Sequence, residues 1–195
     1  LAVGGVDASG TYLSSSEYYQ TDAVAWSAAA SMTDGRRDHT ATLLGNGLML
    51  VAGGRNVSGA IATCELYDPV SNAWQATGSL LTARYYHKAV LLKDGRVLVA
   101  GGYGTTYLSS AEIFDPDTGT WSAVGAMNTS RQEFSLTLLR DGRVLAAGGF
   151  NGTNIASADI FDPATDGWSA TSSMVMARRL HAATLLPDGR VLVMG

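Results

Sequence analysis

LTLLRDGRVLAAGG, residues 136–149, is two short apolar runs joined by Asp141-Gly142. An Asp-Gly pair between apolar runs signals a tight β-hairpin, and a type I′ turn is expected. Gly148-Gly149 closes the second run, where the chain must bend or admit a neighbour's backbone. Three further stretches follow the same plan, with Asn46-Gly47, Asp94-Gly95 and Asp188-Gly189 at their turns.

Internal periodicity takes precedence over any single motif. Glycine doublets stand at 4–5, 53–54, 101–102 and 148–149, spaced 49, 48 and 47 residues apart. Trp26, Trp74, Trp121 and Trp168 are spaced 48, 47 and 47, and Arg36, Arg84, Arg131 and Arg178 keep the same step. The chain is therefore a single tandem array over 1–195, with units of approximately 1–48, 49–96, 97–143 and 144–190 and the start of a fifth. After its hairpin each unit carries a polar loop, a third strand such as AEIFDP (111–116) and a fourth such as TWSAVG (120–125). Runs this short, bounded by turn residues, predict an all-β fold of four-stranded antiparallel meanders. Their repetition implies radial packing as blades of a β-propeller.

These units resemble the Kelch repeat. The pattern stands as GG–ELYDP–W–L–R over 53–84, GG–EIFDP–W–M–R over 101–131 and GG–DIFDP–W–M–R over 148–178. The first copy is degenerate, since Glu17-Tyr18-Tyr19-Gln20-Thr21 lacks Asp-Pro, yet Trp26, Met32 and Arg36 remain. With strands lettered A to D from the centre outward, as is usual in that family, the chain holds 17 strands, starting and ending on a B strand. Kelch rings have more blades than this, so the ring is expected not to be closed by this chain alone. A fragment of a longer protein is the favoured explanation, and self-association that completes the ring is the other.

Composition excludes several classes. The net charge is −4, and Lys and Arg occur without a basic run, which argues against a nucleic-acid partner. No apolar stretch approaches the length of a membrane span, so no membrane insertion is expected. Cys64 is the only cysteine, so no internal disulfide and no cysteine zinc site can form. Low lysine content and abundant Ser, Thr, Gly and Ala suit a bacterial protein of the periplasm or the extracellular space.

The repeat supplies its own control for site residues. A group present in every copy is more readily explained by blade construction than by one ligand. The tryptophans and Tyr19, Tyr67, Phe114 and Phe161 are expected as wedges between blades, and Glu17, Glu65, Glu112 and Asp159 as partners of the arginine series. The resemblance also gives those arginines a second reading. Kelch proteins that capture acidic peptides line their pocket with arginines near the start of the inner strand, the register of Arg36, Arg84, Arg131 and Arg178. Three residues further on come His39, His87, Phe134 and His181. Neighbouring blades hold these too far apart to ligate one ion, and Phe134 shows that the place accepts an apolar group, so no metal is expected.

Ligand contacts are instead sought where the copies differ. After the repeated arginine the copies read Arg37-Asp38, Tyr85-Tyr86, Gln132-Glu133 and Arg179-Leu180. The loops after the glycine doublets differ as well, and loops on a rigid scaffold commonly carry binding. The candidate ligand residues are Arg36, Arg84, Arg131 and Arg178 from the repeat, with Tyr85, Tyr86, Glu133, Arg179, Arg55, Tyr103, Tyr107 and Asn151 from the variable stretches.

A catalytic resemblance stands beside this one. RYYHKAVLLKDGRVLVAGG (84–102) is similar to the segment of copper radical oxidases, galactose oxidase among them, in which a Tyr-His pair ligates copper within a Kelch-type propeller. Tyr86-His87 falls in that register. That family also requires a Cys–Tyr thioether on inner strands, whereas Cys64 lies on a C strand beside Glu65. No Gly-x-Ser-x-Gly elbow, His-Glu-x-x-His or P-loop occurs. The reading is a non-catalytic module without cofactor that recognises a protein or a carbohydrate. The alternative is the propeller portion of an enzyme, with its catalytic parts outside this chain.

Overall fold

The computed structural model describes all 195 residues, Leu1–Gly195. It contains no helix, and its strands fall into two compact units, Leu1–Tyr85 and Tyr86–Gly195. In the first unit, β1 (Ala2–Val3), β2 (Ser16–Gln20) and β3 (Ala25–Ala29) form a three-stranded antiparallel sheet in that order. Then β4 (Thr40–Leu43) and β5 (Met49–Ala52) form a hairpin, followed by a small added hairpin of β6 (Arg55–Asn56) and β7 (Gly59–Ala60). The outer strands β8 (Cys64–Asp68) and β9 (Ala73–Ala76) complete a sheet of order β4-β5-β8-β9.

The second unit repeats the scheme. Its sheets are β10 (Lys88–Leu91), β11 (Val97–Ala100), β12 (Ala111–Asp115) and β13 (Thr120–Val124), then β14 (Ser135–Leu138), β15 (Val144–Ala147), β16 (Ala158–Asp162) and β17 (Gly167–Thr171). The hairpin β18 (Ala182–Leu185) and β19 (Val191–Met194) follows. All 17 expected strands are present, and β6–β7 brings the number to 19.

Each sheet is a meander because its connections are turns chosen by sequence. The hairpin turns are not of the expected type I′. A type I′ turn would give both Asp94 and Gly95 positive φ, but only the glycine has it, at 90°. Gly95 N donates to Leu92 O at 3.1 Å and Leu92 N to Arg96 O at 2.8 Å, the pattern of a three-residue loop ending in a left-handed glycine. The reason is the aspartate side chain. Its Oδ1 accepts from Arg96 N at 3.1 Å and its Oδ2 from Arg96 Nε at 2.9 Å, which holds Asp94 in an ordinary right-handed conformation. Asp141-Gly142 and Asp188-Gly189 repeat these bonds.

The core lies between sheets. In the second unit, Leu98 and Ile113 pair across β11 and β12 and face the same way, as do Ala100 and Ala111. They cluster with Val144, Ala146 and Phe161 of the next sheet and with Phe134 and Met127. Val97, Leu98, Val99 and Ala100 are all fully buried, so β11 is covered on both faces and reads as a continuous apolar run. Each large side chain buried this way contributes about 1.5–3 kcal/mol.

Candidate functional site

The repeated arginine turns out to be the clasp of each blade. Arg36 Nη1 donates to Gly53 O at 3.0 Å and Thr63 O at 2.7 Å, and its Nη2 reaches Glu65 Oε1 at 2.9 Å. Arg131 repeats this with Gly148 O (2.7 Å), Ser157 O (2.8 Å) and Asp159 Oδ2 (2.5 Å). The carbonyl of the same residue receives the preceding copy: Gly5 N donates to Arg36 O and Gly102 N to Arg131 O, both at 2.8 Å. Thus one residue ties its own glycine doublet by side chain and the previous doublet by backbone.

Arg36, Arg84 and Arg131 are 0% exposed, which corrects the expectation that they line a ligand surface. Their charge is turned inward because a guanidinium can satisfy several carbonyls and a carboxylate at once. Arg178, only partly buried, donates to Gly195 O at 2.8 Å in the same manner.

The histidine register is interior at His87 and Phe134 and half-buried at His39 and His181. His87 is 2% exposed and Phe134 is 1% exposed. Burial, then the charge of Arg36, pushes the His39 imidazole down to about 4. His181 is lowered by burial and by Arg178, and its Nε2 lies 3.1 Å from Ser135 Oγ.

Exposed chemistry begins one residue after the clasp. In the first unit Arg37 N donates to Arg55 O at 3.0 Å and Arg55 N to Arg37 O at 2.9 Å, a short bridge between the stretch after the arginine and the loop after the glycine doublet. The two side chains share one carboxylate: Arg55 Nε is 2.7 Å and Arg37 Nε 3.5 Å from Asp38 Oδ2. Each guanidinium also covers an aromatic ring, Arg37 over Tyr12 at 5.2 Å and Arg55 over Tyr85 at 4.8 Å. Arg37 and Arg55 keep 32% and 25% of their side chains exposed, so this rim presents two cations against one anion.

The second unit builds the same bridge from different residues. Gln132 N donates to Phe150 O at 3.0 Å and Phe150 N to Gln132 O at 2.9 Å. Tyr103, Tyr107 and Phe150 form an edge-to-face series with centroids 5.1 and 5.8 Å apart, and Arg179 lies 4.3 Å above Phe150. Arg179 Nη1 approaches Glu133 Oε2 at 3.5 Å. Asn151 follows Phe150 in the same loop, its amide bonded to Thr153 O.

Four residues at one register share a left-handed conformation: Asp38, Tyr86, Glu133 and Leu180, with φ of 57°, 54°, 55° and 55°. Non-glycine residues hold this geometry only where the surroundings determine it. In the second unit a backbone ladder through Tyr86, Glu133 and Leu180 does so, with Glu133 N donating to Tyr86 O at 3.3 Å and Leu180 N to Glu133 O at 3.0 Å.

Of the expected site residues, the structure gathers Arg55 with Tyr85, and Tyr103, Tyr107, Glu133 and Arg179 around Phe150. Tyr86 joins Glu133 along the ladder. Sequence reasoning missed Tyr12 as a contact, and did not rank Arg37 and Asp38 above the repeat arginines. The signal was present in the variability of those two positions among the copies.

The sheets, the glycine doublets and the arginine clasp together define a protein of Kelch-type propeller blades. The sequence pattern described as the KLHDC2/KLHL20/DRC7 Kelch-repeats domain matches residues 1–149, and the Kelch motif matches 139–175. The chain belongs to the Kelch-repeat family. No curated protein matches it in sequence. Among solved structures, "Structure of YjhT" is similar with a TM-score of 0.74 and 16% identity, over 95% of this chain and 69% of that one. At that identity the likeness shows the fold alone.

Proposed function

We propose that this chain is a non-catalytic recognition module, with the rim of its blades as the ligand face. Kelch propellers are generally protein-interaction modules. The observation that carries the reading is the Arg37–Asp38–Arg55 cluster with Tyr12 and Tyr85. Two half-exposed guanidinium groups sharing one carboxylate, each over an aromatic ring, suit an anionic or hydrogen-bonding partner, a peptide or a glycan. His87 at 2% exposure and a buried Cys64 give copper radical chemistry no support here. A site outside the bacterial cytoplasm is part of the proposal and rests on composition.

Peptide and glycan arrays probed with wild-type protein and with Arg37→Ala/Arg55→Ala test it. Loss of the wild-type signal in the double variant is expected, whereas turnover of galactose by copper-loaded protein would overturn the reading.

A second observation supports self-association or docking onto further blades. Tyr19 and Trp26 are 45% and 58% exposed, whereas the equivalent Phe114 and Trp121 are 0% and 8%. Light scattering that returns only the 20.3 kDa monomer at high concentration removes the self-association arm.

A further inference from the structure

Glu133 Oε2 has an ion-pair neighbour but no hydrogen-bond donor. Its side chain is 12% exposed, and its Oε2 is buried yet accepts no hydrogen bond. The nearest cation, Arg179, stands at 3.5 Å and is occupied with Phe150 at 4.3 Å. A desolvated carboxylate oxygen in this condition costs free energy unless something donates to it. The backbone cannot relieve it, because the left-handed ladder through Tyr86, Glu133 and Leu180 fixes where the side chain starts.

Glu133 borders a cleft of about 190 Å³ lined by Tyr86, Lys88, Glu133, Phe134, Leu180 and His181. At about 30 Å³ per water, the space holds on the order of six waters, close to one sugar ring. The lining is particular to this part of the array. Where Glu133 stands the other copies have Asp38, Tyr86 and Leu180, and where Lys88 stands they have Thr40, Ser135 and Ala182.

We propose that this cleft binds one monosaccharide unit of a glycan, with Glu133 Oε2 accepting from a ring hydroxyl. The charges select the donor. Arg179 approaches the carboxylate and Lys88 lines the same cleft, so a further ammonium group is disfavoured, whereas a neutral hydroxyl brings no charge. Vicinal hydroxyls can donate to Glu133 and accept from Lys88 together. Leu180, 74% exposed, offers an apolar wall for the C–H face of a ring. This rests on the recognition-module reading and specifies the ligand class for the second unit.

The test is saturation-transfer NMR with calorimetric titration, using methyl α-glucopyranoside, methyl β-galactopyranoside and N-acetylglucosamine, beside a glycan array. Wild-type protein is expected to bind at least one of them. Glu133→Gln should weaken that binding tenfold or more, Lys88→Met several-fold, and Arg190→Ala, 80% exposed at the β18–β19 turn, not at all. Because Lys88 is exposed, its variant keeps the test valid if Glu133→Gln fails to fold. Absence of binding to every sugar on the panel and the array overturns the proposal, as does a Glu133→Gln variant that binds like wild type. If a peptide binds, is lost in Arg55→Ala and ignores Glu133→Gln, the cleft is rejected and the recognition module stands. If neither peptides nor glycans bind, both fall.

Discussion

Arg131 sets its Nη2 2.5 Å from Asp159 Oδ2 with 0% and 1% of the two side chains exposed, and its backbone carbonyl simultaneously accepts from Gly102 N. The ion pair is therefore part of a joint between consecutive copies. Its counterpart is Arg36 with Glu65 at 2.9 Å.

Removing one partner of this pair strands the other in the interior. Asp159→Ala is expected to destabilise the protein by about 3–5 kcal/mol. Arg143 and Asp141 stand 2.7 Å apart but are 47% and 50% exposed, so Arg143→Ala should cost far less than Asp159→Ala. Urea denaturation of the two variants checks the contrast. Equal losses would mean that the clasp is not a buried joint.

The glycine doublet gives a second contrast. A Cβ on Gly148 would lie 2.7 Å from Arg178 O and 2.8 Å from His181 Cε1, at a φ of +66°. Gly152 has φ of +108° but open space where a Cβ would stand. Gly148→Ala is expected to cost about 3 kcal/mol or more, and Gly152→Ala about 1 kcal/mol from backbone strain alone. Thermal midpoints of the two variants decide.

Acid should weaken the first unit before its carboxylates titrate. His39 is about 4 in the folded chain against 6.5 when unfolded, because burial disfavours its cation. The unfolded state therefore binds the proton first as pH falls. Stability is fully present above 6.5, declines between 6.5 and about 4, and stops declining from this cause below that. The loss is on the order of 3 kcal/mol. Phe134 already occupies the equivalent place, so His39→Phe should flatten the profile in that window. Urea titrations at several pH values measure it.

Rim residues should separate binding from stability. Arg37 and Arg55 are half-exposed, and each pairs with Asp38 and covers an aromatic face. Replacing both by alanine is expected to shift stability by about 1 kcal/mol or less, while array binding drops at least tenfold. A double variant that unfolds would place the cluster among the structural joints instead.

Much of the blade was legible because its determinants are local. Asp-Gly and Asn-Gly turns, alternating strands and evenly spaced tryptophans all act within a few residues of themselves. The 17 strands follow from those signals, whereas β6–β7 does not. Arg55-Asn56 and Gly59-Ala60 carry no strand pattern and pair only because the loop folds back, with Asn56 Oδ1 accepting from Ser58 N at 2.9 Å. The turn type was misjudged for a similar reason: the Asp94–Arg96 side-chain contact, absent from dipeptide rules, holds the aspartate right-handed.

The sequence by itself determined the period, the strand order and the place of each glycine doublet, because backbone conformation and hydrophobic alternation are written residue by residue. Only the tertiary structure decided which arginine works inside and which outside. Arg36 and Arg37 are chemically identical neighbours, yet one is 0% exposed and the other keeps 32% of its side chain in solvent. The difference arises from what lies opposite: Gly53, Thr63 and Glu65 converge on Arg36, while Arg37 meets Tyr12 and Arg55 at the rim. Residues that distant in the chain come together only when the sheets pack, and burial is a property of that packing.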